Sequence, residues 1–221
     1  MFAAGIDGCK NGWVVVWEQN DTTSVQCMQN LHTVLEQKPE IVVIDIPIGL
    51  LDCGTRAADI CARQFLKHRS CCVFTAPIRP ILACKTYDFA TQCRRRVEGK
   101  SMTKQAWAIV SKIREVDALL TTNLQQSIKE GHPEVTFAVM NGGEPPPSKH
   151  STSGHQARLA LLRVQFPEID LTLEQHKRFR EDIIDAYAML WTARRIKNKE
   201  AATFPEEQAI DVRGLNMQIW A

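Results

Sequence analysis

A three-layer α/β domain, with a mixed central sheet covered by helices on both faces, is the fold class the sequence predicts. Three observations predict it. Two strand-like runs, 12–18 and 22–28, flank the polar turn "QND", as in a hairpin. The segment 30–37, "NLHTVLEQ", puts Leu31, Val34 and Leu35 on one helical face. Then "IVVIDIPIGL" at 41–50 is almost wholly apolar and β-branched, the composition of a central strand buried on both sides. Hairpin, helix and buried strand in that order open a layered α/β architecture.

Ahead of the hairpin, "GIDGCKNGWVVV" at 5–16 ends a first apolar strand on Asp7 and turns on glycines into a β-branched run. Beyond residue 50, 56–66 reads as a helix and 71–85 as irregular, with Pro77 and Pro80. A mostly helical stretch spans about 86–124, so a helical insertion is expected at about 53–125 within one domain, 1–221. "QSIKEGHPEVTFAVM" at 126–140 predicts a short strand and then a helix begun at Pro133, where proline fits the first turn. "NGGEPPPSKHSTSG" at 141–154 is a loop, and helices follow near 155–165 and 174–198. "AIDV" and "LNMQIWA" are expected to add one or two edge strands.

The chain's 221 residues suit one domain, and apolar and charged fractions of 44% and 24% are those of a globular protein. A net charge of +2 does not announce a polyanion partner, so any nucleic-acid surface must come from local clustering. No apolar stretch reaches the about 18–20 residues that span a bilayer, and "MFAAGIDG" lacks the basic start of a secretory signal. A cytoplasmic location without a membrane partner is expected. The eight cysteines have no Cys-x-x-Cys spacing, which argues against structural zinc; free, mostly buried thiols are expected.

The acids carry the functional signal. Asp45 interrupts the run Ile41–Ile46 and either accepts backbone N–H groups before Pro47 or joins Asp7 at one end of the sheet, where open α/β sheets bind ligands. Asp182 and Asp185, three apart in "EDIIDAYAMLWTARR", share a helix face. Asp182 alone would pass as a solvated first-turn acid, but Asp185 lies within an apolar run of core character and needs a partner. Converging carboxylates repel, which raises their pKa values, and a divalent cation removes the repulsion. Carboxylate oxygens suit Mg²⁺ or Mn²⁺. Two such ions about 3.5–4 Å apart would clamp the attacking and leaving oxygens of a phosphodiester displacement. The expectation is therefore one or two Mg²⁺ or Mn²⁺ ions in a metal-dependent phosphodiesterase.

Taken in order, the first-strand Asp, the hairpin, the helix, the Asp on the fourth strand and the late Asp-x-x-Asp helix resemble the ribonuclease H-like superfamily, which includes RuvC-type resolvases. A closer resemblance is to an uncharacterised bacterial and archaeal family of predicted ribonuclease H-like nucleases. It runs through "GIDGCKNGWVVV", "IDIPIGL" at 44–50, "R-x-x-D-x-x-A-R" at 56–63, "VFTAPIR" at 73–79, "KIREVD" at 112–117, "HPEVTF" at 132–137 and the acidic helix. The resemblance implies a ribonuclease H-like fold, nuclease activity on DNA or RNA, and Asp7, Asp45 and Asp185 as metal ligands with Asp182 as a fourth. The chain departs from the family pattern at Leu51, where relatives tend to place proline.

Other residues join the candidate set. His132 and Glu134 would lie at the edge of the same cleft, His132 as a proton shuttle and Glu134 as a metal ligand or general base; equally, Glu134 is a favourable first-turn acid. His-x-Glu without Pro-Cys-x-x-Cys downstream excludes a zinc deaminase. Arg56, Asp59 and Arg63 share a helix face, the usual pattern of a salt-bridged surface; the resemblance makes them candidates for binding substrate phosphate or bracing the "VFTAPIR" loop, with Arg79 as a second phosphate donor. Arg94, Arg95, Arg96, Lys100 and Lys104 form the densest basic cluster, a solvated face or a phosphate-tracking patch. Lys149 and His150 could close over the site from the 141–154 loop.

Two rival readings stay open. In an actin-like phosphotransferase, "DGCKNG" at 7–12 would cradle nucleotide phosphates, although neither a duplicated fold nor a second glycine-rich loop is visible. A non-catalytic binding module on the same fold is the other. The sequence leaves the oligomeric state open, a homodimer being one option.

Overall fold

The computed structural model describes residues 1–221. Seven strands run β1 (Phe2–Cys9), β2 (Gly12–Gln19), β3 (Thr22–Met28), β4 (Ile41–Ile44), β5 (Ile128–Gly131), β6 (Thr203–Phe204) and β7 (Ile219–Trp220). The helices are α1 (Leu31–Glu36), α2 (Ala57–Leu66), α3 (Tyr87–Glu98), α4 (Lys104–Ala108), α5 (Val110–Leu119), α6 (Pro133–Met140), α7 (Thr152–Gln165), α8 (Ile169–Gln175) and α9 (Arg180–Asn198). They build one mixed sheet of order β3-β2-β1-β4-β5-β7-β6. The three N-terminal strands form an antiparallel meander; β4 joins β1 in parallel, β5 joins β4 in parallel, and β6 closes the far edge antiparallel to β7. This α/β arrangement is consistent with a ribonuclease H-like fold.

Strand alternation separates the two cores. Ala3, Val14, Val16 and Val43 face α9, with α7 and α8 packed outside it. Ala4, Ile6, Val15, Val42 and Ile44 face the other way, onto α1 and α5. The contact of α9 with β1 is unusually close because Gly5 has no side chain. A Cβ there would stand 2.1 Å from the Ala186 carbonyl oxygen and 2.2 Å from the Leu190 nitrogen.

Several boundaries differ from the sequence reading. The buried run 41–50 pairs as a strand only to Ile44. Pro47 offers no N–H, and the Ile48 and Leu50 amides bond to the Glu130 and Asp211 carboxylates at 2.6 and 3.0 Å rather than to a neighbouring strand. Only the Asp45 N–H continues the ladder, to the Ile6 carbonyl of β1 at 3.0 Å; residues 46–50 are mostly buried loop. The helix expected over 174–198 is two: the chain leaves helical geometry at His176 (φ −120°, ψ 44°), and α9 starts afresh at Arg180. The expected loop 141–154 ends early, because the Ser151 hydroxyl accepts the Gly154 N–H at 3.1 Å and caps α7. "AIDV" contributes a single bridge, Ile210 to Asn216. All eight cysteines are free as expected, but only Cys9 is buried; the other seven are exposed or half-buried. No helix is long and apolar enough to cross a membrane.

Candidate functional site

Register places the first two acids. In the β1–β4 pair Ile6 lies opposite Ile44, so the next residue of each chain segment, Asp7 and Asp45, leaves the same end of the sheet. Gly5 and Val43 face α9; two residues on, Asp7 and Asp45 face it too. The first turns of α9 bring Asp182 and Asp185 to that corner. Asp185 is buried among the apolar residues of α9, while Asp182 is half-buried.

All four carboxyls are pushed above the ordinary range. For Asp7, burial is the largest cause, followed by repulsion from Asp45, Asp185 and Asp182; the Gly8 N–H, 2.7 Å from its Oδ1, works the other way. Asp45 is pushed up to about 8 by burial and then by Asp185. Burial and Asp185 also raise Asp182. Burial raises Asp185 as well, against the pull of Lys149. Four acids gathered on one corner therefore resist being charged together.

Lys149 is their cation. Its Nζ lies 2.8 Å from Asp185 Oδ2. Burial disfavours its charge, but Asp185, Asp45 and Asp7 outweigh that and hold its pKa above the usual lysine value. Lys149 thus reaches the acids from the loop that precedes α7. On the opposite side, Lys112 lies over the Trp13 ring, 4.1 Å from its centroid, and donates to the Gly12 carbonyl. Burial lowers its pKa while Asp7 and Asp182 pull the other way. No three His, Cys, Asp or Glu side chains close tightly enough about one point to hold a metal ion as they stand. The donor set nonetheless fits a hard divalent ion: its atoms are carboxylate oxygens, and their shared excess of charge is what such an ion relieves.

His132 and Asp45 line one cleft of about 460 Å³, together with Asp185, Lys149, Arg69 and Phe74. Burial pushes the imidazole down to about 4, so it is neutral at pH 7, and its Nδ1 has no hydrogen-bond partner. Glu134 also borders the cleft, but the general-base and metal-ligand roles expected for it do not suit its environment. Both its oxygens accept from Arg158 Nη2, at 2.8 and 2.7 Å. The same guanidinium donates through Nη1 to the Pro147 and Gly154 carbonyls at 2.8 Å each. Glu134 is therefore a clamp that holds the Lys149 loop against α6 and α7.

Three arginines expected to meet substrate are spent inside the fold. Arg56 is buried, bonded to Asp59 (2.6 Å) and Glu130 (2.7 Å) and to the Ile48 and Gly49 carbonyls. Arg63 Nε donates to the Val73 carbonyl at 2.9 Å, and Asp59 Oδ2 accepts the Ala76 N–H at 2.9 Å. These are the loop-bracing roles, with "VFTAPIR" as the braced segment. Arg79 joins Asp117 (3.1 Å) and Asp211. Within the basic cluster, Arg94 is withdrawn into an ion pair with Glu98 at 2.9 Å. The residues that sequence reasoning missed are Arg69, Phe74, Lys112 and Arg158. Lys112 and Phe74 stood inside recognisable motifs without a role; nothing in sequence marked Arg69 or Arg158, whose partners are far along the chain.

A family model described as "Protein of unknown function (DUF429)" matches residues 5–210. No curated protein and no solved structure matches the chain.

Proposed function

The chain belongs to the DUF429 family, and from its acidic corner we propose that it is a divalent-metal-dependent phosphodiesterase, a nuclease acting on DNA or RNA. The observation that carries this reading is the gathering of Asp7, Asp45, Asp182 and Asp185, with pKa values raised by burial and mutual repulsion, at the carboxyl ends of two parallel strands. The resemblance to predicted ribonuclease H-like nucleases supports it. Asp7, Asp45 and Asp185 would hold Mg²⁺ or Mn²⁺, with Asp182 at the rim. Such an ion would activate water and offset charge developing on the phosphate.

The chain's own groups have separate tasks. Lys149 offsets the acids' charge and, once they are otherwise neutralised, would be released to meet an incoming phosphate. His132 borders the cleft as a neutral imidazole at pH 7, a state that can donate or accept one hydrogen bond but resists protonation. Glu134 and Arg158 position the Lys149 loop and touch no reacting atom.

The test is thermal stability against Mn²⁺ for wild type and Asp185→Asn, joined to a cleavage panel of linear and branched DNA and RNA. Mn²⁺ should raise the wild-type melting temperature and support cutting, and the variant should show neither. Equal metal responses in the two proteins would sink the metal site. Tight ATP binding with no cleavage of any substrate would favour the phosphotransferase instead.

A further inference from the structure

Beside the acids the cleft presents an aromatic ring that the core does not use. Phe74 is 49% exposed, yet it lies between buried Val73 and Ala76. Its backbone is held from both sides, by Arg63 on the Val73 carbonyl and by Asp59 on the Ala76 N–H, each at 2.9 Å. An exposed phenyl on a braced loop can meet a partner without the cost of ordering the backbone that carries it. Pro47 and Ile109 add apolar wall, and Asp45 and Asp185 stand in the same cleft.

The charge beside the ring is also incompletely used. Arg69 Nη2 is 3.9 Å from Glu134, whose oxygens are already bonded to Arg158, and Arg69 Nε has no partner. One aromatic face, one under-used guanidinium and the Lys149 ammonium thus surround a cavity of about 460 Å³. That volume falls in the range of about 300–1,000 Å³ typical of small-ligand pockets. A stacked duplex offers no free base face to an aromatic side chain, whereas an unpaired nucleotide offers both a base face and a phosphate.

We propose that this cleft takes one unpaired nucleotide of a nucleic-acid strand, its base on Phe74 and its phosphates toward Arg69 and Lys149. The substrate class is then single-stranded or locally unpaired DNA or RNA. The proposal rests on the nuclease reading for what happens next to the nucleotide, but not for its binding.

The experiment measures binding and cutting separately. Labelled ten-nucleotide DNA and RNA strands, and the matching blunt duplexes, are titrated with wild type, Phe74→Ala and Phe74→Trp in Ca²⁺, and the same substrates are incubated in Mn²⁺. Strands are expected to bind at least about tenfold more tightly than duplexes, and Phe74→Ala to lose about tenfold on strands, the scale of base–aromatic stacking. Phe74→Trp should retain binding. Comparing the DNA and RNA arms identifies which strand is the source. Equal affinity for strand and duplex, or unchanged strand binding by Phe74→Ala at an unchanged unfolding midpoint, would each overturn the proposal. Strand-selective binding with no cutting in Mn²⁺ supports the proposal and removes the nuclease reading. Equal cutting of strand and duplex by wild type and Phe74→Ala does the reverse.

Discussion

Asp45 shows how one buried carboxyl can make stability fall as pH rises. Its carboxyl, pushed from an ordinary 3.8 to about 8, is easier to ionise in the unfolded chain than in the fold. The resulting cost is absent below the unfolded pKa, grows as pH rises above about 4, and is complete near pH 8. Asp45→Asn should therefore stabilise the protein in chelator at pH 8, by roughly 1–3 kcal/mol, and the gain should vanish near pH 4. Urea denaturation at the two pH values checks this. Saturating Mn²⁺ should reverse the order, because only the wild type gains the ion. At this scale the sequence was readable wherever a polar residue broke an apolar pattern, as at Asp7, Asp45 and Asp185. It was silent where a role depends on a distant partner: Glu134 looked like a base until Arg158, 24 residues on, proved to occupy both its oxygens.

Among the elements, β1, β4 and α9 carry the acidic corner, and Gly5 sets the separation of β1 from α9. Gly5→Ala would force the helix off the strand, since its Cβ meets backbone rather than a movable side chain. The expected loss is about 1–3 kcal/mol or more, read as a lower urea midpoint, together with weaker Mn²⁺ stabilisation as Asp185 moves from Asp7. The α2–β5 junction should be less forgiving. Arg56→Ala leaves Glu130 and Asp59 buried without their cation and should cost about 3–5 kcal/mol by the same measurement. β-branching made β2 legible and the polar turn placed β3 beside it, whereas β1 was readable only as a short apolar run ending at Asp7. The end of β4 was not, because Glu130 and Asp211, which receive the Ile48 and Leu50 amides, lie outside any local window. The arginine spacing at 56–63 was equally ambiguous: identical patterns serve surface pairs and buried braces, and only burial separates them.

For the molecule as a whole, the C-terminal tail acts as a clasp. It supplies β7 beside β5, and Asp211 accepts the Leu50, Arg213 and Leu215 amides while pairing with Arg79. Burial works against the Asp211 charge, but those bonds outweigh it and hold the carboxyl below its ordinary value. Its contribution is thus present above about pH 4 and fades as pH falls through that lowered pKa, opposite in sign to Asp45. Asp211→Asn should lower the urea midpoint at pH 7 by an amount equivalent to about 1–3 kcal/mol, and by less at pH 3. The sheet's seven-strand order was only partly foreseeable, because two-residue strands such as β6 and β7 carry no periodicity to detect. The pairing of Ile6 with Ile44 has one more consequence, in chain length rather than chemistry. Losing one residue between Asp7 and the turn at Lys10–Asn11 would swing that carboxylate through the sheet, away from α9 and among Trp13, Val15 and Ile113. Losing two would return it to its own side. The acidic corner is therefore an arithmetic property of the backbone, open to substitution around it and closed to any odd-numbered insertion or deletion.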